Sequence, residues 1–447
     1  MVKKTILLIL GILLLLFLGI FSPVDRTHVH ETEYYQIAMS RIDSLNSADL
    51  NSTGAYFKAG WAKTNMTPSY SVPLSGYGDR EGALSTGVHD SLWVRGFVFD
   101  NGVIKSALIT LDALLVPPLV TFELKDRLHE IGFLFENVYL SATHTHCSIG
   151  AWGDSWIANK FSGEFDPKIV NDITEAILTT IKNANDNMED AKVGFSKYEA
   201  RKLVKNRLVG EKGIVDPWFR VVKIQKESGN IALITSFSAH ATCLSGREMR
   251  FSRGYPGALV DSLETLPNVD FAAFCAGGVG SHRPDSGGYS KYKRIAWLAS
   301  SLRDKVSSNY LDVPVRSELN LDSFKFNIPL REPHWRIDTN WRFRPWIFHL
   351  FFEPTPHFIS ILRLGDIILA GTPCDFSGEL IPEIEYVTEP NGIDFIGTSF
   401  NGGYVGYITK DAWYDLHEYE TFIMNWFGPN NGAYFVEIIQ KLTLIFN

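Results

Sequence analysis

The chain has 447 residues, of which 45% are hydrophobic and 13% aromatic, with a formal net charge of -8 and an isoelectric point near 5.9. This is an ordinary globular composition with apolar side chains enough for a large core of one domain or two. The acidic balance and the lack of any Lys/Arg block exclude a nucleic-acid partner, which needs a concentrated basic face, and suit a neutral or cationic substrate better.

Lys3 and Lys4 precede an apolar run from Ile6 to about Phe21. At roughly 17 residues it lies between a long signal-peptide core and a short spanning helix. Its exit, Gly19-Ile20-Phe21-Ser22-Pro23, offers no small-x-small cleavage site, so residues 1–23 are expected to be a retained signal anchor in a membrane. The two lysines hold the N-terminus in the cytoplasm and put the remaining chain on the far side, periplasmic or at the cell surface. Cleavage would instead release a secreted domain. Residues 24–56 are polar and helix-compatible, a stalk or a packed lead-in helix. Residues 57–447 form the main domain.

In that domain short apolar runs end in polar or glycine-rich turns, as buried strands do. Ile104–Leu111 ends at Asp112, Asn137–Thr143 at His144 and Ile231–Phe237 shortly before His240. Val269–Phe274 opens into Gly277-Gly278-Val279-Gly280-Ser281, Asp366–Ala370 reaches Asp375, and Asp394–Thr398 opens into Gly402-Gly403-Tyr404. Helical patterns lie between them at 118–131, 167–183, 255–265, 289–307 and 378–386. Alternation of this kind predicts an α/β fold, a largely parallel or mixed sheet flanked by helices, with functional groups beyond the carboxyl ends of the strands. Pro314 to Phe352 is strongly aromatic and is expected to be an antiparallel extension with its loops. Four widely spaced cysteines, Cys147, Cys243, Cys275 and Cys374, are too few for a disulfide scaffold and are expected to be small buried residues near a site.

The strongest local signal is Thr143-His144-Thr145-His146. If the strand persists through it, both imidazoles share a face about 7 Å apart, one free to bind a metal and the other to reach past it to substrate. His240 alone reads as a core histidine, Asp375 as a helix N-cap, and Tyr407 as an ordinary aromatic. Together, two histidines and a carboxylate at strand ends match the ligand set of a catalytic zinc with a position left open.

These residues carry a resemblance. Gly76-Tyr77-Gly78, Val94–Val98, Leu140-Ser141-Ala142-Thr143-His144-Thr145-His146, Phe237–His240, Pro373-Cys374-Asp375-Phe376, and Tyr407-Ile408-Thr409 through Tyr419-Glu420 follow one another as in the neutral, non-lysosomal ceramidase family. The resemblance covers about residues 57 to 447. It implies a zinc-dependent amidohydrolase that splits the N-acyl amide of ceramide or a related lipid into fatty acid and amine. Zinc ligands would be His144, His240, Asp375, where the family mostly has Glu, and Tyr407. Contacts to the scissile amide would be His146, Arg207 and Tyr419.

One departure matters. The family's Gly-Asp-x-Ser-Pro motif supplies its proposed nucleophilic serine, whereas this chain reads Gly280-Ser281-His282-Arg283-Pro284 and an ungapped alignment puts Arg283 at the serine position. Three expectations follow in order of preference: attack by zinc-bound hydroxide, attack by Ser281 from a shifted backbone, or loss of activity. Arg283 is a candidate for a substrate carboxylate or phosphate. Family members also continue into a β-sandwich-like domain, whereas this sequence stops at Asn447, so the anchor is expected to keep the site near lipid. The competing readings are a zinc hydrolase of another ester, N-acyl or cell-surface substrate, and a non-catalytic lipid-binding homologue.

Overall fold

The structure, a computed structural model, describes residues 2–45, 50, 52–317 and 319–446. Helix α1 (Val2–Ile20) is exposed along its length and is the one helix among the described residues long and apolar enough to cross a membrane. A three-residue strand, Phe21–Pro23, follows directly and pairs antiparallel with Trp341–Phe343. Helix α2 (Glu33–Asp43) then buries Ala38 and Ile42, so this part of the lead-in is packed against the domain. Residues 46–49 and 51 of the lead-in lie outside the described residues.

The apolar runs become strands in two sheets. The larger contains β1 (Lys58–Asn65), β2 (Trp93–Asp100), β3 (Lys105–Leu111), β4 (Val138–Ala142), β5 (Glu189–Glu199), β6 (Trp218–Lys226), β7 (Ile231–Phe237) and β8 (Val269–Ala276), in the order β8-β7-β6-β5-β1-β2-β3-β4. Only the outermost pairs, β3/β4 and β7/β8, are parallel. The smaller sheet runs β9 (Leu321–Asn327), β10 (Phe358–Leu364), β11 (Ile367–Gly371), β12 (Asp394–Thr398), and only β11/β12 is parallel. Parallel neighbours need a crossover. Helices α3 (Pro118–Arg127), α6 (Gly254–Leu263) and α9 (Ile381–Thr388) lie in these three connections. One unit, an antiparallel hairpin followed by a helical crossover, therefore occurs three times.

Strand periodicity explains how the layers stack. On β3, Ala107, Ile109 and Leu111 pack with Val120 and Leu124 of α3 and with α5 (Pro167–Asp186), while Leu108 faces the other way. That second face meets Leu362, Leu364 and Leu369 of the smaller sheet. The outer face of the smaller sheet, with Ile359, Ile361 and Ile368, is covered by α2, α9 and α10 (Asn431–Leu444). The architecture is thus a four-layer α/β/β/α sandwich, and strands buried on both faces read as the continuous apolar runs seen in the sequence. The expected elements are present, with helix α7 (Lys291–Ser307) also in place. The stretch 314–352 differs: beside β9 it contains helix α8 (Pro345–Phe351), because Pro345 presets the first helical φ and Ile347 and Phe348 find a buried face.

Lys325 on β9 gives this packing a titratable probe. Its ammonium donates to Val138 O and lies 4.6 Å from the Phe135 ring centroid and 5.2 Å from that of Phe358. Burial lowers its pKa to about 7, with Glu136 opposing. In the unfolded chain Lys325 keeps its proton to above pH 10, in the fold only to about 7, so the unfolded state binds more protons between these limits and stability rises with pH across them. Lys325→Met is expected to stabilise the protein by roughly 1–2 kcal/mol below pH 7 and to flatten this slope. Urea unfolding of the detergent-solubilised chain at pH 6, 8 and 10 measures both effects; equal midpoint shifts at all three would show that Lys325 does not titrate there.

Candidate metal centre

The chain leaving β4, β7 and β11 delivers His144, His240 and Asp375 to one place at the carboxyl ends of these strands. β4 does not persist through the His-Thr-His motif. It ends at Ala142, and His144 takes a left-handed φ of 60°, unfavourable for a residue with a side chain by about 1 kcal/mol or more. That turn replaces the expected 7 Å spacing with imidazole centroids 4.8 Å apart and brings His146 into the cluster. The His144 ring is held flat against Phe400, 4.1 Å away and nearly parallel.

Hydrogen bonds fix the tautomers. His144 Nδ1 contacts Leu114 O at 2.5 Å, His146 Nδ1 contacts Gly76 O at 2.8 Å, and His240 Nδ1 contacts Val279 O at 3.3 Å. A carbonyl only accepts, so each Nδ1 carries the hydrogen and each Nε2 presents a lone pair. These lone pairs face one another: His144 Nε2 is 2.8 Å from His240 Nε2 and 3.2 Å from His146 Nε2. Protonation offers no relief. Burial, reinforced by Arg207, lowers His146 to about 3 and pushes His144 and His240 well below the usual range, with neighbouring imidazoles adding to the effect on those two. Gly76 is required at its position, since it has φ of 112° and an added Cβ would sit 2.6 Å from His146 Cα.

Asp375 completes the donor set. Its Oδ2 accepts from Tyr404 at 2.9 Å, while Oδ1 is buried, makes no hydrogen bond and lies 3.4 Å from His144 Nε2. Three converging imidazole lone pairs and a bare carboxylate oxygen fit a divalent cation, and the histidine triad is positioned to bind a metal. Tyr407 is adjacent through the short pairing of Asp375 with Tyr407, and its hydroxyl accepts from Arg207 Nη2 at 3.2 Å. The Arg207 guanidinium is tied to Glu420 at 2.8 Å. The Tyr419 ring lies 5.7 Å from that of Tyr407.

The cluster borders a cavity of about 140 Å³. His144, His146, Asp375, Tyr407 and Tyr419 line it there, and Ile157, Phe161, Phe348, Phe352 and Trp426 form apolar walls. Ser281 and Arg283 are not among the lining residues. The Ser281 side chain is wholly buried, with Oγ 2.8 Å from His282 Nδ1 and 2.6 Å from Ser377 Oγ. Because His282 Nε2 accepts from the Asp216 N–H, Nδ1 carries the hydrogen, so His282 donates to Ser281 and cannot serve as its base. Arg283 is exposed on a short strand opposite Lys205. The sequence singled out neither Tyr404 nor Glu420 for a role, although Gly402-Gly403-Tyr404 and Tyr419-Glu420 both stood in motifs. All four cysteines are buried and free.

Residues 57–265 match the family described as neutral/alkaline non-lysosomal ceramidase, N-terminal. Over this region the chain is similar to the neutral ceramidase family. It is 25% identical over 206 residues to the neutral ceramidase of Pseudomonas aeruginosa, covering 42% of this chain and 31% of that protein. With the neutral ceramidase of Mycobacterium tuberculosis it shares 24% over 220 residues, 45% and 34% of the two chains, and with neutral ceramidase 3 of Arabidopsis thaliana 30% over 136 residues, 30% and 18%. The matched segment thus spans about a third or less of these relatives. The fold agrees more widely: the crystal structure of the Pseudomonas aeruginosa neutral ceramidase superposes with a TM-score of 0.73 at 18% identity, covering 87% of this chain and 74% of that one. A ceramidase complexed with C2 gives the same score and identity. The mixed α/β architecture is therefore the neutral ceramidase fold.

Burial is the main cause that raises the Asp375 pKa to about 7, against the lowering effects of Tyr404 and Arg207. A proton and a cation then compete for the same carboxylate. Zinc affinity is expected to be constant above about pH 8 and to fall as pH drops through 7. Competition with a chelating dye between pH 5.5 and 8.5 measures this, and an affinity independent of pH would remove Asp375 from the ligand set.

Proposed function

We propose that the chain is a zinc-dependent amidohydrolase that cleaves the N-acyl amide of ceramide or a related lipid, with His144, His240, Asp375 and Tyr407 holding the zinc. The observation that carries this reading is the convergence of the His144 and His240 Nε2 lone pairs and the bare Asp375 Oδ1, with the His146 Nε2 beside them, next to an apolar cavity. Bound zinc supplies Lewis acidity toward a carbonyl oxygen or a water.

The protein's own groups do the remaining work. Phe161, Phe348, Phe352 and Trp426 take hydrocarbon and exclude water from the amide. Hydrolysis breaks the C–N bond, and water supplies the oxygen of the released fatty acid and the proton of the leaving amine. His146, neutral and with Nε2 free of hydrogen, accepts that proton from water and returns it to the nitrogen. Tyr419 holds the carbonyl oxygen as it becomes negative. Arg207, clamped by Glu420, fixes the Tyr407 hydroxyl. Ser281 has no part in this sequence, because its hydroxyl is engaged behind the cavity. The exposed apolar helix α1, read as a retained anchor, supports a substrate that resides in a membrane.

Elemental analysis should give about one zinc per chain in the parent and in His146→Ala, and almost none in a His144→Ala, His240→Ala double variant; parent-like zinc in the double variant would refute the site. His146→Ala is expected to lower turnover of long-chain ceramide in mixed micelles by about 10²–10⁴-fold, and loss of zinc in it would instead make His146 a ligand. Ser281→Ala should stay within roughly tenfold of the parent, whereas a loss of several orders of magnitude at constant zinc would make it the nucleophile. Chelator-sensitive turnover confined to short soluble amides or esters would move the substrate class. Binding without turnover would leave a lipid-binding protein.

A further inference from the structure

Two short helices form much of the apolar wall. From α4 (Trp156–Ser162), Ile157, Ala158 and Phe161 face the cavity, and from α8 and the residue after it, Phe348 and Phe352. Their outward faces carry exposed apolar side chains, Trp156 at 53%, Trp346 at 52% and Leu350 at 67%, with the polar Lys160 and His349 beside them. The two helices touch through Trp156 and Phe351, with centroids 5.4 Å apart. The result is a contiguous exposed apolar patch whose reverse side is the cavity wall.

The same patch receives the end of α1. Arg344 N donates to Ile20 O at 2.8 Å, Arg344 Nε to Leu18 O at 2.6 Å, and Trp346 Nε1 to Gly19 O at 3.1 Å. The Phe17 ring packs edge-on against Trp341 at 5.0 Å, and Phe21–Pro23 continues into the pairing with Trp341–Phe343. A bilayer that holds α1 therefore has its surface level with α8. Side chains suited to that depth surround the patch: the indoles of Trp156 and Trp346, Arg344, and Lys160, whose ammonium is 5.8 Å from the Trp156 ring centroid.

We propose that the outward faces of α4 and α8 are a bilayer-docking surface, seated on the leaflet from which α1 emerges, so that an acyl lipid passes from that leaflet between the two helices into the cavity without crossing water. This rests on the reading of α1 as a retained membrane anchor. Its occupant is lipid because the spanning helix is hydrogen-bonded to the patch itself, which fixes what lies alongside. Trp156, Trp346 and Leu350 contribute to docking and do not line the cavity.

The four native cysteines are buried, so a nitroxide can be placed selectively on a new surface cysteine. Trp156→Cys and Leu350→Cys, in the full chain reconstituted into phosphatidylethanolamine/phosphatidylglycerol vesicles, are compared with Val103→Cys and Tyr386→Cys. Val103 lies in the turn between β2 and β3, at the opposite end of the large sheet from His144. Labels at 156 and 350 are expected to show about threefold or greater preference for oxygen over a water-soluble nickel complex relative to the two controls. Equal accessibility at all four sites would overturn the proposal, as would spin–spin broadening between copies without a rise in oxygen contact, which would make the patch a dimer face. Depth is read without turnover, so an inactive protein would refute the proposed activity and leave this test intact. In an active protein, Trp156→Ser with Leu350→Ser should lower turnover of vesicle-embedded substrate roughly tenfold while sparing a short soluble amide; equal losses on both would count against docking.

Discussion

Three imidazole lone pairs facing one another inside an apolar shell are unfavourable unless positive charge lies between them. Everything around His144, His146 and His240 preserves that arrangement. Carbonyls of Leu114, Gly76 and Val279 occupy each Nδ1–H, and burial keeps the rings from charging. Phe400 fixes one ring plane, and two residues with side chains, His144 and Phe400, both adopt left-handed backbone to make the stack. Strain of this kind is retained where the surrounding fold over-determines it, and here two packed sheets do so.

Much of the fold was legible because a strand buried on both faces advertises itself as an unbroken apolar run, and the turns after β4, β7 and β11 announce themselves by a change to polar residues. The relation between the runs was not legible. Nothing local says that Leu108 will meet Leu369 across a second sheet, or that the parallel pairs fall at the sheet edges. Helix α8 was hidden because its aromatic residues suit a strand equally well, and only Pro345 at its start argued for a helix.

At the site, residue identity was readable and geometry was not. His144, His240, Asp375, Tyr407, Arg207 and Tyr419 do converge, but period-2 reasoning failed at the one step where it was used, because the strand ends before the motif. Tyr404 and Glu420 escaped notice since their significance lies in partners 29 and 213 positions away, Asp375 and Arg207. Ser281 shows the converse: a serine followed by a histidine in a glycine-rich turn suggests a nucleophile and its base, and a single backbone N–H, that of Asp216, reverses the direction of the hydrogen bond between them.

The three hairpin-and-crossover units bear on the order of assembly. His144 follows one edge strand of the large sheet, His240 follows the strand next to its other edge, and Asp375 follows a strand of the small sheet. No single unit holds more than a fragment of the donor set, and the fragments are joined only across sequence separations whose closure is slow and entropically costly. The cation site therefore comes into being only when the two sheets dock. An ion held there would be taken up last, from those present where the finished domain resides and not from those that the nascent chain encounters earlier.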